Sequence, residues 1–170
     1  MTVMSVDEHR RTAPEHVRCA VLTISDTRTE VTDTSGRAIA ELLEEAGHAV
    51  AARSLVPDDP ERIRAAVREL LARPDVQAVL TTGGTGISRR DSTYEVVSGL
   101  LEKRLDGFGE LFRMLSYTEI GAAAMLTRAC AGVAAGRFLV ALPGSEAAVR
   151  LAMRRLVLPE LGHVVRETTR

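Results

Sequence analysis

The residues with the clearest chemical pattern form a glycine-rich loop, Thr82-Gly83-Gly84-Thr85-Gly86, which follows the apolar run 76–80. An apolar run of this length predicts a buried strand, and a helix is predicted after Asp91. A strand, a glycine loop and the start of a helix together present backbone N–H groups to an anion. The segment therefore predicts a phosphate or carboxylate site, with a plain strand-to-helix turn as the alternative.

This loop differs from the common nucleotide-binding motifs. A P-loop needs Gly-Lys-Ser/Thr, and the segment contains no lysine. Gly84-Thr85-Gly86 begins like a dinucleotide fingerprint, but Arg89 stands where the third glycine belongs. The sequence therefore disfavours a P-loop NTPase and a standard NAD site.

Other polar clusters also follow predicted strands. Ser25-Asp26-Thr27 and Pro143-Gly144-Ser145 each come after a buried run, and Asp58 follows a further strand. In open α/β sheets the ligand crevice lies at the carboxyl edge, so we expect these clusters to meet there. Carboxylates beside phosphates usually act through a hard cation such as Mg²⁺, and Asp26, Asp58 and Asp91 would supply the oxygens.

Each of these residues also has a purely structural interpretation. Asp26 could satisfy the backbone of its own loop, and Asp58 could only shape its turn. Asp91 and Ser145 could cap the helices that follow them. A hydrolytic nucleophile is not supported, because the sequence has no Gly-x-Ser-x-Gly elbow.

The elements that must position these residues alternate along the chain. Apolar runs predict strands at 17–25, 49–56 and 76–80, with amphipathic helices between them. This order predicts a parallel sheet with right-handed crossovers. The runs 130–134 and 138–142 flank a glycine turn and predict a hairpin, which adds an antiparallel strand.

Local signals predict where helices begin and end. Thr34 or Ser35 is expected to cap the first helix, and Asp59 the second. The segment Gly107-Phe108-Gly109 is expected to interrupt the helical region that follows Asp91. Pro159 is expected to end the last helix.

Three methionines and an apolar segment are further candidates for packing. The methionines are expected to fill the core; they are Met114, Met125 and Met153. The alanine-rich segment 120–126 could pack on the sheet or form a subunit contact.

Composition limits the class of protein. The chain has 170 residues, of which 45% are hydrophobic, enough for one domain with a full core. A net charge of −1 and 3% aromatic residues argue against nucleic-acid binding. No apolar run reaches membrane-spanning length, and the polar start is unlike a signal peptide, which predicts a cytoplasmic protein.

The sequence predicts three parts along the chain. Residues 1–16 are predicted to be a flexible arm, residues 17–162 a single α/β domain and residues 163–170 a polar tail. Cys19 and Cys130 lie in strand-like runs and are expected to be buried thiols rather than a disulfide or a metal pair.

Taken together, these segments resemble the MoaB/MogA family of molybdenum cofactor biosynthesis proteins. The resemblance extends from about Val17 to Pro159, and the segment 107–116, with Glu119-Ile120-Gly121, is closer to the MoaB branch. The motifs that carry it are Ser25-Asp26-Thr27, Asp33-Thr34-Ser35-Gly36, Thr81 to Gly86 with Asp91, Gly107-Phe108-Gly109-Glu110 with Phe112 to Ser116, and Leu142-Pro143-Gly144-Ser145.

The resemblance implies a fold and an activity. The fold would be a three-layer α/β/α structure with a mostly parallel sheet, assembled as trimers or, in the MoaB branch, as hexamers. Its members bind molybdopterin, and the active ones transfer AMP from ATP to the terminal phosphate of molybdopterin, releasing pyrophosphate. Some MoaB proteins lack the aspartate of the Val-Pro-Asp run and appear inactive, so a non-catalytic molybdopterin-binding or scaffold protein is the alternative.

The resemblance also implies roles for individual residues. Asp58, in the Val-Pro-Asp run, and Asp91 match the catalytic aspartates of the family, which act through Mg²⁺ and the nucleotide phosphates. This chain retains both. The residues expected to bind substrate or nucleotide are Ser25, Asp26, Thr82, Gly83, Gly84, Thr85, Gly86, Pro143, Gly144 and Ser145.

Overall fold

A computed structural model describes residues 11–170 of the chain. Within that range one sheet has six strands, in the order β2-β1-β3-β6-β5-β4. Strands β1, β2, β3 and β6 are parallel, and β5 and β4 are antiparallel to their neighbours. The strands are β1 Arg18–Ile24, β2 Ala49–Val56, β3 Ala78–Thr82, β4 Lys103–Arg104, β5 Cys130–Ala134 and β6 Arg137–Leu142. The predicted parallel sheet and hairpin are confirmed.

Helices cover both faces of the sheet. They are α1 Thr34–Glu45, α2 Pro60–Ala72, α3 Thr93–Leu100, α4 Asp106–Ile120, a 3₁₀ helix Gly121–Leu126, α5 Glu146–Ala152, a π-helical turn Met153–Val157 and α6 Leu158–Thr168. Alternate residues of β1 point to opposite faces: Cys19 and Val21 pack with α1 and α6, while Ala20 and Leu22 pack with α2 and α3. The fold is therefore the three-layer α/β/α structure that was expected.

The starts of α1 and α2 test the capping predictions. At α1 the cap is Asp33 rather than Thr34 or Ser35, because the Asp33 carboxylate accepts a hydrogen bond of 2.9 Å from the backbone N–H of Gly36. At α2 the prediction is confirmed, since Asp59 accepts a hydrogen bond of 2.9 Å from Arg62 N. The first prediction failed because the capping residue lies one position earlier than expected.

Helix α4 passes through the glycines that were predicted to interrupt it. Gly109 is buried, and a Cβ there would lie 3.0 Å from the carbonyl oxygen of Ala129. The small residue therefore lets the helix approach β5 closely rather than ending it. The methionine prediction is correct only for Met153, since the exposed fractions of Met114 and Met125 are 58% and 76%.

The chain remains helical beyond Pro159, so the prediction that this residue ends the last helix is wrong. The N–H of Leu158 bonds to the carbonyl of Met153, five residues back, in the π-helical turn. Pro159 then occupies the first turn of α6, where a proline without an N–H is tolerated. The predicted tail 163–170 is helical as far as Thr168, and it buries Val165 in the core.

Two further predictions concern the ends of the chain and its cysteines. Residues 1–10 of the predicted arm 1–16 lie outside the described residues. Cys19 and Cys130 are free and buried, as predicted, and burial raises the pKa of Cys19 to about 12 and of Cys130 to about 11. Among residues 11–170, no helix has the length and apolar character needed to cross a membrane.

Candidate functional site

The ends of four strands surround one cavity of about 350 Å³, which we call the strand-tip cavity. The segment 25–28 after β1, Asp58 after β2, the segment 82–84 of β3 and its loop, and Gly144 after β6 all line it. Arg90 and Asp91 complete the rim. The expectation that the polar clusters meet at the carboxyl edge of the sheet is therefore confirmed.

Four of the residues predicted to bind substrate or nucleotide lie outside this cavity. Thr85 is buried, and neither Thr85 nor Gly86 lines the strand-tip cavity. Pro143 and Ser145 line a neighbouring cavity of about 210 Å³ together with Phe112 and other residues. Ser145 also caps α5, because its hydroxyl accepts a hydrogen bond of 3.4 Å from Ala148 N.

The glycine loop depends on backbone conformations that other residues rarely adopt. Gly83 and Gly84 have φ angles of +100° and +67°. A Cβ on Gly83 would collide with the carbonyl oxygen of Ile24, and one on Gly84 would lie 2.8 Å from Asp58 Oδ2. Gly83 N also donates to Leu142 O at 3.0 Å, so the loop is held between β1 and β6.

Hydrogen bonds join two aspartates of the rim, Asp26 and Asp58, to segments distant in sequence, whereas Asp91 bonds within its own turn. The backbone N–H of Asp58 donates to Asp26 Oδ1 at 3.1 Å. Asp58 Oδ1 accepts from both the N–H of Ser92, at 3.2 Å, and its hydroxyl, at 2.7 Å. Asp91 does not cap α3; its Oδ2 accepts from Ser88 N at 2.8 Å and closes the turn before the helix. The interpretation of Asp58 as only a turn residue is also wrong.

The three carboxylates differ in how their charge is balanced. Asp26 pairs with Arg90 at 2.8 Å, and both of its oxygens accept hydrogen bonds. Asp58 Oδ2 and Asp91 Oδ1 accept no hydrogen bond from residues 11–170, and neither aspartate has a basic partner there. These two oxygens are therefore the ones available to a cation or a ligand.

The side chains of residues 11–170 do not by themselves build a complete metal cage. Within the described part of the chain, no group of three or more His, Cys, Asp or Glu side chains is placed to hold a metal ion. Mg²⁺ is commonly held by one or two carboxylates together with substrate phosphates and water. Asp58 and Asp91, each with one oxygen available, fit that kind of site.

Sequence reasoning missed Arg128, which fixes the glycine loop from behind. Its Nε donates to the carbonyl oxygens of Gly86, at 3.0 Å, and Thr85, at 3.3 Å, and its guanidinium pairs with Glu95. Carbonyls held by an arginine on one side leave the N–H groups of the same peptides facing the other way. Arg128 is 42 residues from Gly86, and no local pattern indicates the contact.

Asp33 was also missed as a contributor to the site. It is buried behind the cavity, where its Oδ2 accepts hydrogen bonds from Thr23 Oγ1, at 2.7 Å, and Arg53, at 3.0 Å. Burial alone would raise its pKa, but the hydrogen bonds from Thr23, Arg53 and Gly36 outweigh burial and keep the pKa below its usual value. Asp33 therefore fixes the start of α1, including Ser35, against the cavity wall.

Comparisons with known proteins point to one family. Residues 20–163 match the sequence model of a family described as a probable molybdopterin binding domain. Molybdenum cofactor biosynthesis protein B of Bacillus anthracis is 56% identical over 168 residues, which are 98% of this chain and 99% of that protein.

Solved structures give the same result. The tungsten cofactor synthesizing protein MoaB from Pyrococcus furiosus is 36% identical with a TM-score of 0.84, and the match covers 93% of this chain and 100% of that one. The molybdopterin biosynthesis Mog protein from Mycobacterium ulcerans is 27% identical with a TM-score of 0.81, and the match covers 89% and 99% of the two chains.

Proposed function

Because this chain belongs to the MoaB/MogA family of molybdenum cofactor biosynthesis proteins, we propose that it binds molybdopterin and adenylylates its terminal phosphate. ATP would be the co-substrate, Mg²⁺ the cofactor and pyrophosphate the second product. The observation that carries the proposal is the meeting of four strand ends around one cavity with a glycine loop and two carboxylates that have no basic partner among residues 11–170.

The reaction joins two polyanions, and the strand-tip cavity offers groups that reduce their repulsion. Backbone N–H groups of the glycine loop would bind phosphate oxygens. Arg28 and Arg90 lie on the rim and add positive charge. Mg²⁺, when bound, would add two further positive charges, and the free oxygens of Asp58 and Asp91 would hold it.

The bond changes require no nucleophile from the protein. An oxygen of the terminal phosphate of molybdopterin would form a bond to the α-phosphorus of ATP, and the bond from that phosphorus to pyrophosphate would break. The residues of this chain would position the two substrates in line and exclude alternative orientations. This role explains why the cavity contains carboxylates, amides and arginines but no serine–histidine pair among its lining residues.

The neighbouring cavity suits the uncharged part of the substrate. Pro143, Ser145 and Phe112 line it, and the Pro143-Gly144-Ser145 turn separates it from the strand-tip cavity. A ligand that crosses this turn would place its phosphate beside Gly144 and its ring system in the neighbouring cavity. We therefore assign the predicted roles of Pro143 and Ser145 to this second part of the substrate.

The family resemblance also implies a trimer or a hexamer. An exposed apolar face on α4 and the 3₁₀ helix supports a homo-oligomer; its larger side chains are Leu111, Met114, Tyr117, Ile120, Met125 and Leu126. Apolar side chains grouped in this way favour contact with another protein surface.

The decisive experiment is incubation of the protein with molybdopterin, ATP and Mg²⁺, followed by mass detection of the AMP adduct. We expect adenylylated molybdopterin and an equal amount of pyrophosphate. If the protein binds molybdopterin but forms no adduct, the non-catalytic alternative is correct. If neither ligand raises its melting temperature, both functions are excluded, since a ligand that binds the native state must stabilise it.

A further inference from the structure

A third cavity, of about 290 Å³, lies between α4 and the segment that leads into β5. Arg104, Arg113 and Arg128 line it with Tyr94 and Thr127, and we call it the arginine cavity. The strand-tip cavity shares none of these residues. Gly109 and Arg113, two residues of the family motif at 107–116 that have no role in the proposed reaction, belong to this cavity.

Arg113 is the unusual member of the group. It is half-buried, yet its side chain makes no hydrogen bond or ion pair with any residue of the described range 11–170. Its guanidinium lies against Gly109, where a Cβ would come within 3.0 Å and 3.1 Å of its two terminal nitrogens. A guanidinium that is partly withdrawn from water is stabilised by an anionic partner, so Arg113 is suited to bind an anion.

The other two arginines are already partnered. Arg128 pairs with Glu95, and Arg104 lies 3.5 Å from Asp106 and donates to the hydroxyl of Tyr94 at 3.1 Å. Both guanidinium groups also face the ring of Tyr94, at 5.0 Å and 6.0 Å from its centre. Their positions are therefore fixed, and Arg113 is the arginine of this cavity that has no ion-pair partner within residues 11–170.

One further polar atom, beside the cavity, has no partner in the described part of the chain. The hydroxyl oxygen of Thr127 is buried and makes no hydrogen bond within residues 11–170. Buried hydroxyl groups in native proteins nearly always have a partner. An anion in the arginine cavity would pair with Arg113, and rotation of the Thr127 side chain would bring its hydroxyl to the same ligand.

We propose that the arginine cavity binds a small phosphate-class anion, either inorganic phosphate, pyrophosphate or the phosphate of a monoester. The donors come from α3, α4, β4 and the segment before β5, so they surround the ligand from several directions. That arrangement suits a tetrahedral group with at least three acceptor oxygens better than a planar carboxylate. Arg128 also holds the glycine loop, but the proposed anion takes no part in the adenylylation, so the two proposals are tested separately.

The test is titration of the purified protein with inorganic phosphate, pyrophosphate and glycerol phosphate in separate calorimetric experiments. We expect Arg113→Gln to weaken binding of at least one of these anions by about tenfold or more, which is the effect of losing a charge-assisted hydrogen bond. Arg154→Gln makes the same charge change at an exposed site outside the cavity, and it should leave the affinity unchanged.

Two variants keep the result interpretable. Arg90→Gln alters the strand-tip cavity, so weaker binding in this variant instead of Arg113→Gln would place the anion there and overturn the proposal. Thr127→Val removes only the hydroxyl that has no partner, so it should fold normally and also weaken binding. Circular dichroism melting of each variant checks that the fold is retained.

Other outcomes would also contradict the proposed anion site. The proposal is wrong if none of the three anions binds the wild type, or if Arg113→Gln binds them as tightly as the wild type does. It is also wrong if no anion binds and Arg113→Gln lowers the oligomer mass in analytical ultracentrifugation. In that case a carboxylate from a second copy of the chain fills the cavity.

Discussion

Aspartates behind and on the rim of the strand-tip cavity use their carboxylate oxygens differently. Asp33, behind the cavity, is buried, and its two oxygens accept from Gly36 N, Thr23 Oγ1 and Arg53. Asp58 and Asp91, on the rim, each hold a neighbouring segment with one oxygen and leave the other without a hydrogen bond in residues 11–170. An aspartate with no oxygen left is structural, whereas one that keeps an oxygen available can also bind a ligand.

The largest expected effect tests whether the glycine loop at the rim is packed as tightly as the buried residues behind the cavity. Gly83→Ala should lower the free energy of unfolding by about 3 kcal/mol or more, because the new Cβ meets the Ile24 carbonyl at a positive φ angle. Gly99→Ala is the control; this helical glycine has open space around it and should be neutral or stabilising by up to about 1 kcal/mol. Urea denaturation measures both. Equal effects would mean that the loop is loosely packed.

The next effect tests the structural aspartate. Asp33→Ala should destabilise the protein by about 2–3 kcal/mol, because it removes a helix cap and leaves Arg53 and Thr23 without their partner. Asp75→Ala removes an aspartate whose arginine partners lie at the surface, so its effect should be much smaller. Thermal unfolding of the two variants gives the comparison, and a similar loss in both would contradict the structural role of Asp33.

The rim aspartates should show the opposite behaviour. Asp58→Asn and Asp91→Asn should each slow adenylyl transfer by at least about tenfold, or roughly 1.4 kcal/mol of barrier, with little change in stability or molybdopterin binding. Asparagine keeps one acceptor oxygen for the bonds from Ser92 and Ser88. Asp59→Asn changes the adjacent residue, which only caps α2, and should leave the rate unchanged. Single-turnover kinetics distinguishes the three.

The smallest effect concerns pH. The pKa of Asp33 is below its usual value, so its ionised form stabilises the folded state. This contribution is complete above the pKa of an unfolded aspartate and is lost as the pH falls through the lower folded value. The difference in unfolding free energy between the wild type and Asp33→Asn should therefore be constant from about pH 5 to 8 and shrink below about pH 4. A difference that grows on acidification would contradict the assigned contacts.

Sequence reasoning succeeded where the signal was local or periodic. The strand ends could be predicted because buried runs and the glycines after them are adjacent in sequence, and parallel strands bring such ends together. Asp59 as a cap followed from Pro60 beside it. The cap of α1 was predicted at Thr34 or Ser35 but is Asp33, and an error of one or two residues is usual at helix ends.

The contacts that could not be predicted from the sequence are long-range. Arg128 reaches the carbonyls of Thr85 and Gly86 across more than forty residues of sequence, and nothing near it indicates a partner. Pro159 continues a helix only because the π-helical turn before it moves the hydrogen-bond register. Such features depend on the packed tertiary structure rather than on the residues that surround them in sequence.

The two buried thiols make this protein convenient for fluorescence labelling. Cys19 and Cys130 are the only cysteines of the chain, and their raised pKa values leave almost no reactive thiolate at neutral pH. A cysteine introduced at the exposed Ile87, between the glycine loop and Asp91, would therefore be modified alone, without removal of the native thiols. A dye at that position would report loop movement directly as each nucleotide or pterin is added.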